Sequence, residues 1–306
     1  MPHRLAGRSH PGVKYLASIL ASFVFVVAPN AHADTEIVTH CVDWYAKKHG
    51  SGYCCSTCDD LPAQSYCTRF GVGGDFFNIY DQSELWVNQD VDGRDFTDST
   101  QIAWGQDSND DQGTDFADVI FYSGHGSWIS SVNEVQLTMG QSNAGESCRP
   151  TISFDATLHA ELGNGGSGEE ADVFVSVSCY SGQYEAWSGG GFDLLSHASG
   201  QFNMLNGFHG VVWLESGTNT SLGQYAAAAR YNGVGDAWLD YMYNGRGASP
   251  DNCPTSLGWG ANSVETADYY NNAGWLDFHN NGSRSYYTIQ YICGCNPDDG
   301  ETLPTC

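Results

Sequence analysis

Two hydrophobic runs near the middle of the chain predict buried strands that break sharply into small residues. The first run, DVIFYSGHG, covers residues 118–126, and the second, DVFVSVSCYSG, covers residues 172–182. Both runs are rich in β-branched and aromatic residues, which favour strands, and both end at glycine or serine. Because the carboxyl ends of parallel strands meet at one edge of an open α/β sheet, we expect His125 and Cys179 to lie close together.

Shorter hydrophobic runs alternate with segments of helical periodicity along the rest of the chain. This alternation, with connections long enough for helices, favours an α/β sandwich with mostly parallel strands. The predicted strands are Phe76–Tyr80, Glu84–Asn88, Thr100–Gly105, Gly207–Leu214 and Ser285–Ile292, and the predicted helices are Gln224–Arg230 and Asp236–Tyr243.

The first 33 residues have the pattern of a secretory signal peptide. Three basic residues precede an apolar stretch, residues 15–28, that is too short to span a bilayer, and Ala31-His32-Ala33 forms a small-x-small cleavage site. We therefore expect a secreted or periplasmic protein that is cut before Asp34. An N-terminal membrane anchor is the alternative interpretation.

The rest of the chain is long enough for one large α/β domain with small appendages. Cysteine-rich composition marks residues 34–70, the strand and helix patterns fill residues 71–250, and residues 251–306 again contain cysteines. We therefore expect a signal peptide, a cysteine-rich N-terminal segment, an α/β core and a cysteine-containing C-terminal extension, with these boundaries.

The chain is strongly acidic. Its formal net charge of −25 becomes −28 when the three basic residues of the predicted signal peptide are removed. Such a surface repels nucleic acid and anionic membranes, so neither is expected as a partner of the mature chain. The charge is compatible with cationic substrates, with bound Ca²⁺ or with a saline habitat, and it leaves the oligomeric state open.

Cysteine usage indicates disulfides and one unpaired thiol. Export favours disulfides, and an odd number of cysteines leaves at least one thiol over. Cys179 is the natural candidate because it ends a predicted strand beside Ser-Gly. Zinc binding by His40, His49 and nearby cysteines is the alternative for residues 34–70, but no second well-spaced CxxC pair follows there. The 11 cysteines are at positions 41, 54, 55, 58, 67, 148, 179, 253, 293, 295 and 306.

The sequences YSGHG at residues 122–126 and CYSG at residues 179–182 resemble the motifs of caspase-like (clan CD) cysteine peptidases, such as metacaspases and gingipains. The histidine and the cysteine are 54 residues apart, comparable with the spacing of about 50 known in caspases. The resemblance implies a three-layer α/β/α sandwich with a mostly parallel caspase-like sheet, to which disulfide-rich terminal extensions are added. The chain's texture also resembles that of secreted bacterial proteins.

The resemblance further implies a secreted cysteine endopeptidase that acts on peptides or proteins through a His–Cys dyad. Cys179 would be the nucleophile that forms a thioester, and His125 would be the base and then the acid. The backbone N–H groups of Gly126 and Cys179 would form the oxyanion hole. An adjacent imidazolium or strand-end dipoles are expected to favour the thiolate. Metacaspases commonly carry Asp two residues before the cysteine, but Val177 stands there, so their preference for Arg or Lys does not carry over.

Two other functions use the same residues differently. The alternatives are a non-catalytic extracellular binding module of this fold, stabilised by disulfides, and an acyl transferase that uses the same dyad. Trp128 and Trp187 are expected to pack ordinarily rather than to line a substrate cleft. His197 and His209 are expected to be structural, with His209 as the rival base.

An acidic loop directly precedes the histidine strand. Carboxylates at Asp107, Asp110, Asp111 and Asp115 are the oxygen ligands that Ca²⁺ prefers, and Asp90, Asp92, Asp95 and Asp98 form a second such run. Neither run has EF-hand spacing, so solvated acidic loops are the favoured interpretation and Ca²⁺ binding is the alternative. The proposed chemistry requires no cofactor.

Overall fold

In the described part of the chain, seven strands form the main sheet and three form a smaller antiparallel sheet. The strands are β1 (Glu36–Cys41), β2 (Gln82–Val87), β3 (Val119–Ser123), β4 (Gly126–Ile129), β5 (Glu134–Thr138), β6 (Thr151–Phe154), β7 (Val173–Val177), β8 (Met204–His209), β9 (Cys253–Gly260) and β10 (Tyr286–Tyr291). The main sheet has the order β10-β9-β8-β7-β3-β1-β2, and the smaller sheet has the order β4-β5-β6.

The computed structural model describes thirteen stretches, all of which lie in the unit Asp34–Cys306. The helices that lie wholly within them are α1 (Thr218–Ala228), α2 (Val234–Asn244) and α3 (Ser263–Asn271), with a short 3₁₀ helix at Gly93–Phe96, and residues 184–188 are also helical. Every helix in these stretches is too short or too polar to cross a bilayer. The described residues are 36–42, 82–87, 91, 93–96, 114, 117–139, 151–154, 172–188, 203–214, 217–244, 251–274, 278 and 285–306.

The main sheet is mostly parallel, as the alternation of strands and helices predicts. Strands β2, β1, β3, β7 and β8 pair in parallel, and only β9 runs antiparallel to its neighbours β8 and β10. Because β1 lies between β2 and β3, the chain changes direction along the sheet after β2. Ligands of open α/β sheets bind beyond the carboxyl ends of the strands near such a point.

Apolar side chains cover both faces of this sheet. Along β7, Val173, Val175 and Val177 pack with α1 and α2 on one face. On the opposite face, Phe174 belongs to a cluster with Trp187 and the buried residues of β5. All five residues of β3 and of β7 are buried. Burial on both faces explains why these two strands read as continuous hydrophobic runs.

Several predicted elements are confirmed and two have different bounds. Strands β2, β3, β7 and β10 and helix α2 lie where the patterns predict them. Helix α1 begins at Thr218, six residues before the predicted start. Strand β8 ends at His209 rather than Leu214, because the N–H and the C=O of Trp213 bond to the Asn252 amide, at 2.7 and 3.0 Å, and not to a neighbouring strand. The predicted strands 76–80 and 100–105 lie outside the described residues.

Strands β1 and β9 were not predicted, yet both are integral to the sheet. Strand β1 lies in the cysteine-rich segment and pairs with both β2 and β3. Strand β9 reads CPTSLGWG, which lacks the β-branched pattern of a buried strand, but all eight residues are buried between β8 and β10. Residues after position 250 therefore extend the main sheet.

We name residues 178–183, which follow β7 and include Cys179, the cysteine loop. A methyl group at Gly182 would test the close packing between this loop and β8. A Cβ at this position would lie 1.8 Å from Thr255 Oγ1 and 3.0 Å from the backbone of Gly207 and Phe208. We expect Gly182→Ala to lower the free energy of unfolding by about 2 kcal/mol, because the backbone cannot give way. Gly258→Ala is the matched control, since the nearest atom to its Cβ is at 3.6 Å. Equal urea-unfolding midpoints for the two variants would contradict the prediction.

The buried His40 in β1 should make the fold sensitive to acid. Burial lowers the pKa of His40 from 6.5 to about 3, and its ring packs 4.6 Å from that of Phe96. Between these pH values the unfolded chain binds a proton that the folded chain excludes, so stability falls as the pH drops below 6.5, by about 3 kcal/mol at pH 4. We expect His40→Leu to flatten this dependence in urea unfolding at pH 7, 5.5 and 4. Parallel curves for the two proteins would show that His40 is not responsible.

Candidate active site

The register of β3 and β7 brings the two motifs to the same edge of the sheet. The strands pair in parallel with Ser123 opposite Val177, so His125 and Cys179 each follow the last paired residue by two positions. The Gly124 N–H donates to the Val177 carbonyl at 3.4 Å and extends the contact between the strands beyond the ladder. His125 and Cys179 therefore lie in the loops that follow two neighbouring strand ends.

Gly126 marks the closest approach between the two loops. A Cβ at this position would lie 2.1 Å from the Cys179 carbonyl oxygen and 3.1 Å from Ser178 Cβ. Only glycine permits this approach without displacement of the backbone. His125 thus lies between Gly124, whose N–H bonds to the Val177 carbonyl, and Gly126, which contacts the backbone of Cys179.

The backbone of His125 is fixed by β5 and by a buried tyrosine. Its carbonyl accepts the Thr138 N–H at 2.9 Å, and the Tyr122 hydroxyl lies 3.2 Å from the same oxygen. Tyr122 is fully buried and also donates to the Thr138 carbonyl at 2.6 Å. These bonds hold the main chain of His125, while its half-buried side chain lies at the edge of the sheet.

Cys179 is the free cysteine among the described residues, in agreement with the odd cysteine count. Its side chain is half-buried against the core that contains α1 and α2, and the Val212 N–H lies 3.5 Å from its sulfur. Burial raises the pKa of the Cys179 thiol, and the nearby Asp299 carboxylate raises it further, while the N–H groups of Val212 and Cys179 oppose the increase. Desolvation therefore outweighs the stabilising dipoles and favours the neutral thiol in the resting fold.

The loop after Cys179 is held by several groups that the sequence analysis did not identify. The Tyr180 N–H donates to the Gly210 carbonyl at 2.7 Å, and the buried Gln183 side chain accepts the Gly210 N–H at 3.0 Å. The Ser181 hydroxyl donates to the Ser178 carbonyl at 2.9 Å. The Ser-Gly pair after Cys179 was the sequence feature that pointed to a loop here. The groups that hold this loop, at and after the end of β8, are distant from it in sequence.

Tyr180 adopts a left-handed backbone conformation, with φ of 59°. This conformation costs a residue with a side chain about 1–2 kcal/mol. The surroundings of Tyr180 must therefore hold its backbone in this conformation. Residues other than glycine that adopt the left-handed conformation are concentrated at functional sites.

His209 is a structural residue. It is fully buried, its Nδ1 accepts the Tyr184 N–H at 3.2 Å, and its Nε2 bonds to the Glu301 carbonyl. Because Nδ1 accepts, Nε2 is the ring nitrogen that donates. Both ring nitrogens are engaged with the backbone, so His209 is a poor rival to His125 as a base. His197 lies outside the described residues.

The two tryptophans that follow the motifs pack within the protein, as expected. Trp187 is fully buried, stacks edge-on against Trp259, and donates to the Ser181 carbonyl at 3.2 Å. Trp128 in β4 is half-buried and bonds weakly to Asn133 at 3.4 Å. Both therefore support the two loops structurally.

Val177 contributes no charge to the site. Its side chain is 1% exposed and packs in the core on the α1 and α2 face. The position at which the resemblance leads one to look for Asp is thus a core position here, and the specificity of the site stays a prediction.

The proposed Ca²⁺ ligands Asp107, Asp110, Asp111 and Asp115 lie outside the described residues, as do Asp90, Asp92 and Asp98. Asp95 lies buried in the 3₁₀ helix. In the stretches that the structure describes, no group of three or more His, Cys, Asp or Glu side chains is arranged to hold a metal ion. His40 is buried in β1, and Cys41 forms a disulfide, which favours disulfides over zinc at this point of the N-terminal segment.

Two disulfides lie beside the cysteine loop. They join Cys253 to Cys295 and Cys293 to Cys306, and they are compatible with an oxidising compartment. The chain matches no protein-family model and shows no significant similarity to a curated protein.

The raised pKa of Cys179 predicts a distinct pH dependence for thiol alkylation. A thiol whose pKa is raised by burial stays protonated at neutral pH and becomes nucleophilic only as the pH rises. We expect the midpoint of iodoacetamide labelling of the native protein to lie above that of an unfolded peptide covering residues 176–182. A midpoint below that of the peptide would show that the resting protein contains a preformed thiolate.

Proposed function

We propose that the protein is a cysteine endopeptidase whose nucleophile is Cys179 and whose general base is His125. The observation that carries this proposal is the in-register ending of β3 and β7, together with the backbone contact between Gly126 and Cys179. A free thiol in a protein with disulfides, in the loop next to the strand end that is followed by His125, is consistent with nucleophilic catalysis by this pair.

The first chemical step joins the Cys179 sulfur to the carbonyl carbon of a peptide bond. Because burial favours the neutral thiol, the proton leaves sulfur as the new bond forms and is taken up by the His125 imidazole. The carbonyl oxygen becomes an oxyanion, which the N–H groups of Gly126 and Cys179 would stabilise. A neutral resting thiol has the further effect that it resists oxidation until substrate binds.

In the next steps the tetrahedral intermediate collapses and the bond between carbon and nitrogen breaks. His125 returns its proton to the leaving amine, and a thioester to Cys179 remains. Water then attacks the thioester with His125 as the base, the carboxylic acid product leaves, and the thiol is regenerated. The proton balance closes with one water consumed for each peptide bond cleaved.

The segment at residues 211–214 provides a surface for an extended peptide. Both backbone groups of Trp213 bond to the Asn252 side chain. The N–H of the preceding residue, Val212, lies 3.5 Å from the Cys179 sulfur. The Trp213 side chain is 48% exposed. A substrate strand that lies along this segment would bring its scissile bond to the thiol.

The same proposal includes the wider architecture and location of the protein. The mixed sheet with apolar cores on both faces supports a three-layer α/β/α sandwich of the caspase-like type. The disulfides and the pattern of residues 1–33 support a secreted or periplasmic protein. Peptides or proteins are the proposed substrates.

Cleavage of an unfolded protein by matched variants tests the proposed activity. We expect the parent protein to cleave a fluorescently labelled, denatured protein, and Cys179→Ala and His125→Ala each to lower the rate by at least about 100-fold, because each removes one member of the dyad. Ser130→Ala, in the exposed turn between β4 and β5, should leave the rate unchanged.

The outcomes separate the three candidate functions. Cleavage that survives Cys179→Ala would refute the proposed nucleophile. Transfer of the acyl group from the Cys179 thioester to an added amine, which forms an amide and regenerates the thiol, without a hydrolysis product would indicate an acyl transferase. Absence of both products, with Cys179 inert toward a peptide-based electrophile, would indicate a binding module.

A further inference from the structure

The disulfide between Cys293 and Cys306 closes a loop that lies against the cysteine loop. We name residues 293–306 the clasp loop. Its own backbone bonds include the Gly294 N–H to the Pro304 carbonyl at 3.0 Å and the Leu303 N–H to the Cys295 carbonyl at 2.8 Å. Leu303 is 2% exposed and packs against the second disulfide, Cys253–Cys295, which ties the loop to β9. The clasp loop is therefore anchored to the main sheet at one end and closed on itself.

The clasp loop contacts the end of β8 directly. A Cβ on Gly210 would lie 2.5 Å from the Asp299 carbonyl and 2.6 Å from Pro297, so glycine is required for this approach, and its φ is 71°. The Glu301 carbonyl bonds to the His209 ring. Gly210 in turn accepts the Tyr180 N–H, so the clasp loop and the cysteine loop share one support.

A second bond links the two loops through side chains. The Tyr180 hydroxyl donates to Asp299 Oδ2 at 2.9 Å across 119 residues of sequence. Tyr180 directly follows Cys179 and adopts the left-handed conformation that needs external support. Burial first, and then this bond to Asp299, raises the pKa of Tyr180 to about 12, so the hydroxyl remains a donor throughout the range in which the thiol titrates.

We propose that the clasp loop positions Cys179: Asp299 holds Tyr180 in its left-handed conformation and thereby keeps the neighbouring thiol half-buried against the core. Asp299 and Tyr180 are thus positioning residues for the thiol, which they influence from a segment that the resemblance to caspase-like enzymes does not cover. The proposal takes Cys179 as the nucleophile from the proposed function, but its test reads the thiol itself and does not require peptidase activity.

The charged and titratable groups around the thiol define what the test must separate. Asp299 acts both as a hydrogen-bond acceptor for Tyr180 and as a negative charge that opposes the thiolate. His125 lies at the adjacent strand end, and His209 is buried with both ring nitrogens engaged. Tyr180→Phe removes the bond and keeps the charge, whereas Asp299→Asn removes the charge and keeps an oxygen acceptor.

The experiment measures the rate of iodoacetamide labelling of Cys179 against pH in the folded protein. We expect Tyr180→Phe to move the midpoint toward that of the unfolded peptide by about half a pH unit, which raises the labelling rate at pH 7.5 about three-fold. Asp299→Ala should shift the midpoint further, and Tyr180→Phe should add nothing in that background, because both remove the same bond. Asp298→Asn, one residue away and exposed, is the charge-matched control and should change nothing.

A second arm tests whether the closed loop is needed. Cys293→Ser with Cys306→Ser should reproduce the Tyr180→Phe shift, because an open loop no longer holds Asp299 in place, while near-ultraviolet circular dichroism confirms that the core remains folded. An unchanged midpoint in Tyr180→Phe would overturn the proposal, as would a shift of equal size in Asp298→Asn. If the parent labels as described but cleaves no substrate, the proposed function fails and this inference stands.

Discussion

The structure depends on the in-register parallel pairing of β3 with β7. This pairing places the loops that follow β3 and β7 at the same edge of the sheet. Because Gly126 has no side chain, the backbones of the two loops contact each other at the Cys179 carbonyl. Most other features follow from it, because the small β4–β5–β6 sheet starts at Gly126 and the cysteine loop turns back toward β8. A shift in register of one residue would send His125 and Cys179 to different faces and levels.

Burial is the second constraint, and it determines the chemical state of the site. A nucleophile packed against the core loses solvation, and here that loss outweighs the favourable N–H groups of Val212 and Cys179. The neutral thiol is consequently favoured at rest. In the reaction proposed above, proton transfer to His125 would therefore accompany the attack on the substrate.

The sequence predicted the parts of the fold whose residues are buried on both sides. Strands β3 and β7 were evident because hydrophobic residues fill every position, and the two motifs at their ends identified the candidate dyad. Strand β9 could not be found in this way, because its Pro, Ser, Thr and Gly residues are buried by neighbouring strands and not by their own hydrophobicity. Strand β1 did carry a β-branched pattern, in Ile37, Val38 and Thr39, which the surrounding cysteines obscured. The partners of the cysteine loop were beyond sequence reasoning, since Gly210 and Asp299 approach it only through the tertiary fold.

The covalent ring formed by residues 293–306 has a consequence for what a protease can do to this protein. Exposed residues such as Gly300, Glu301 and Thr302 are natural points of cleavage. A cut inside this ring separates no fragment, because the Cys293–Cys306 bond still joins the two new ends and Cys253–Cys295 joins one of them to the sheet. Such damage leaves the molecule in one piece until a reductant is present. A single cut within the ring therefore leaves the protein covalently joined, and its apparent mass stays almost unchanged under non-reducing conditions.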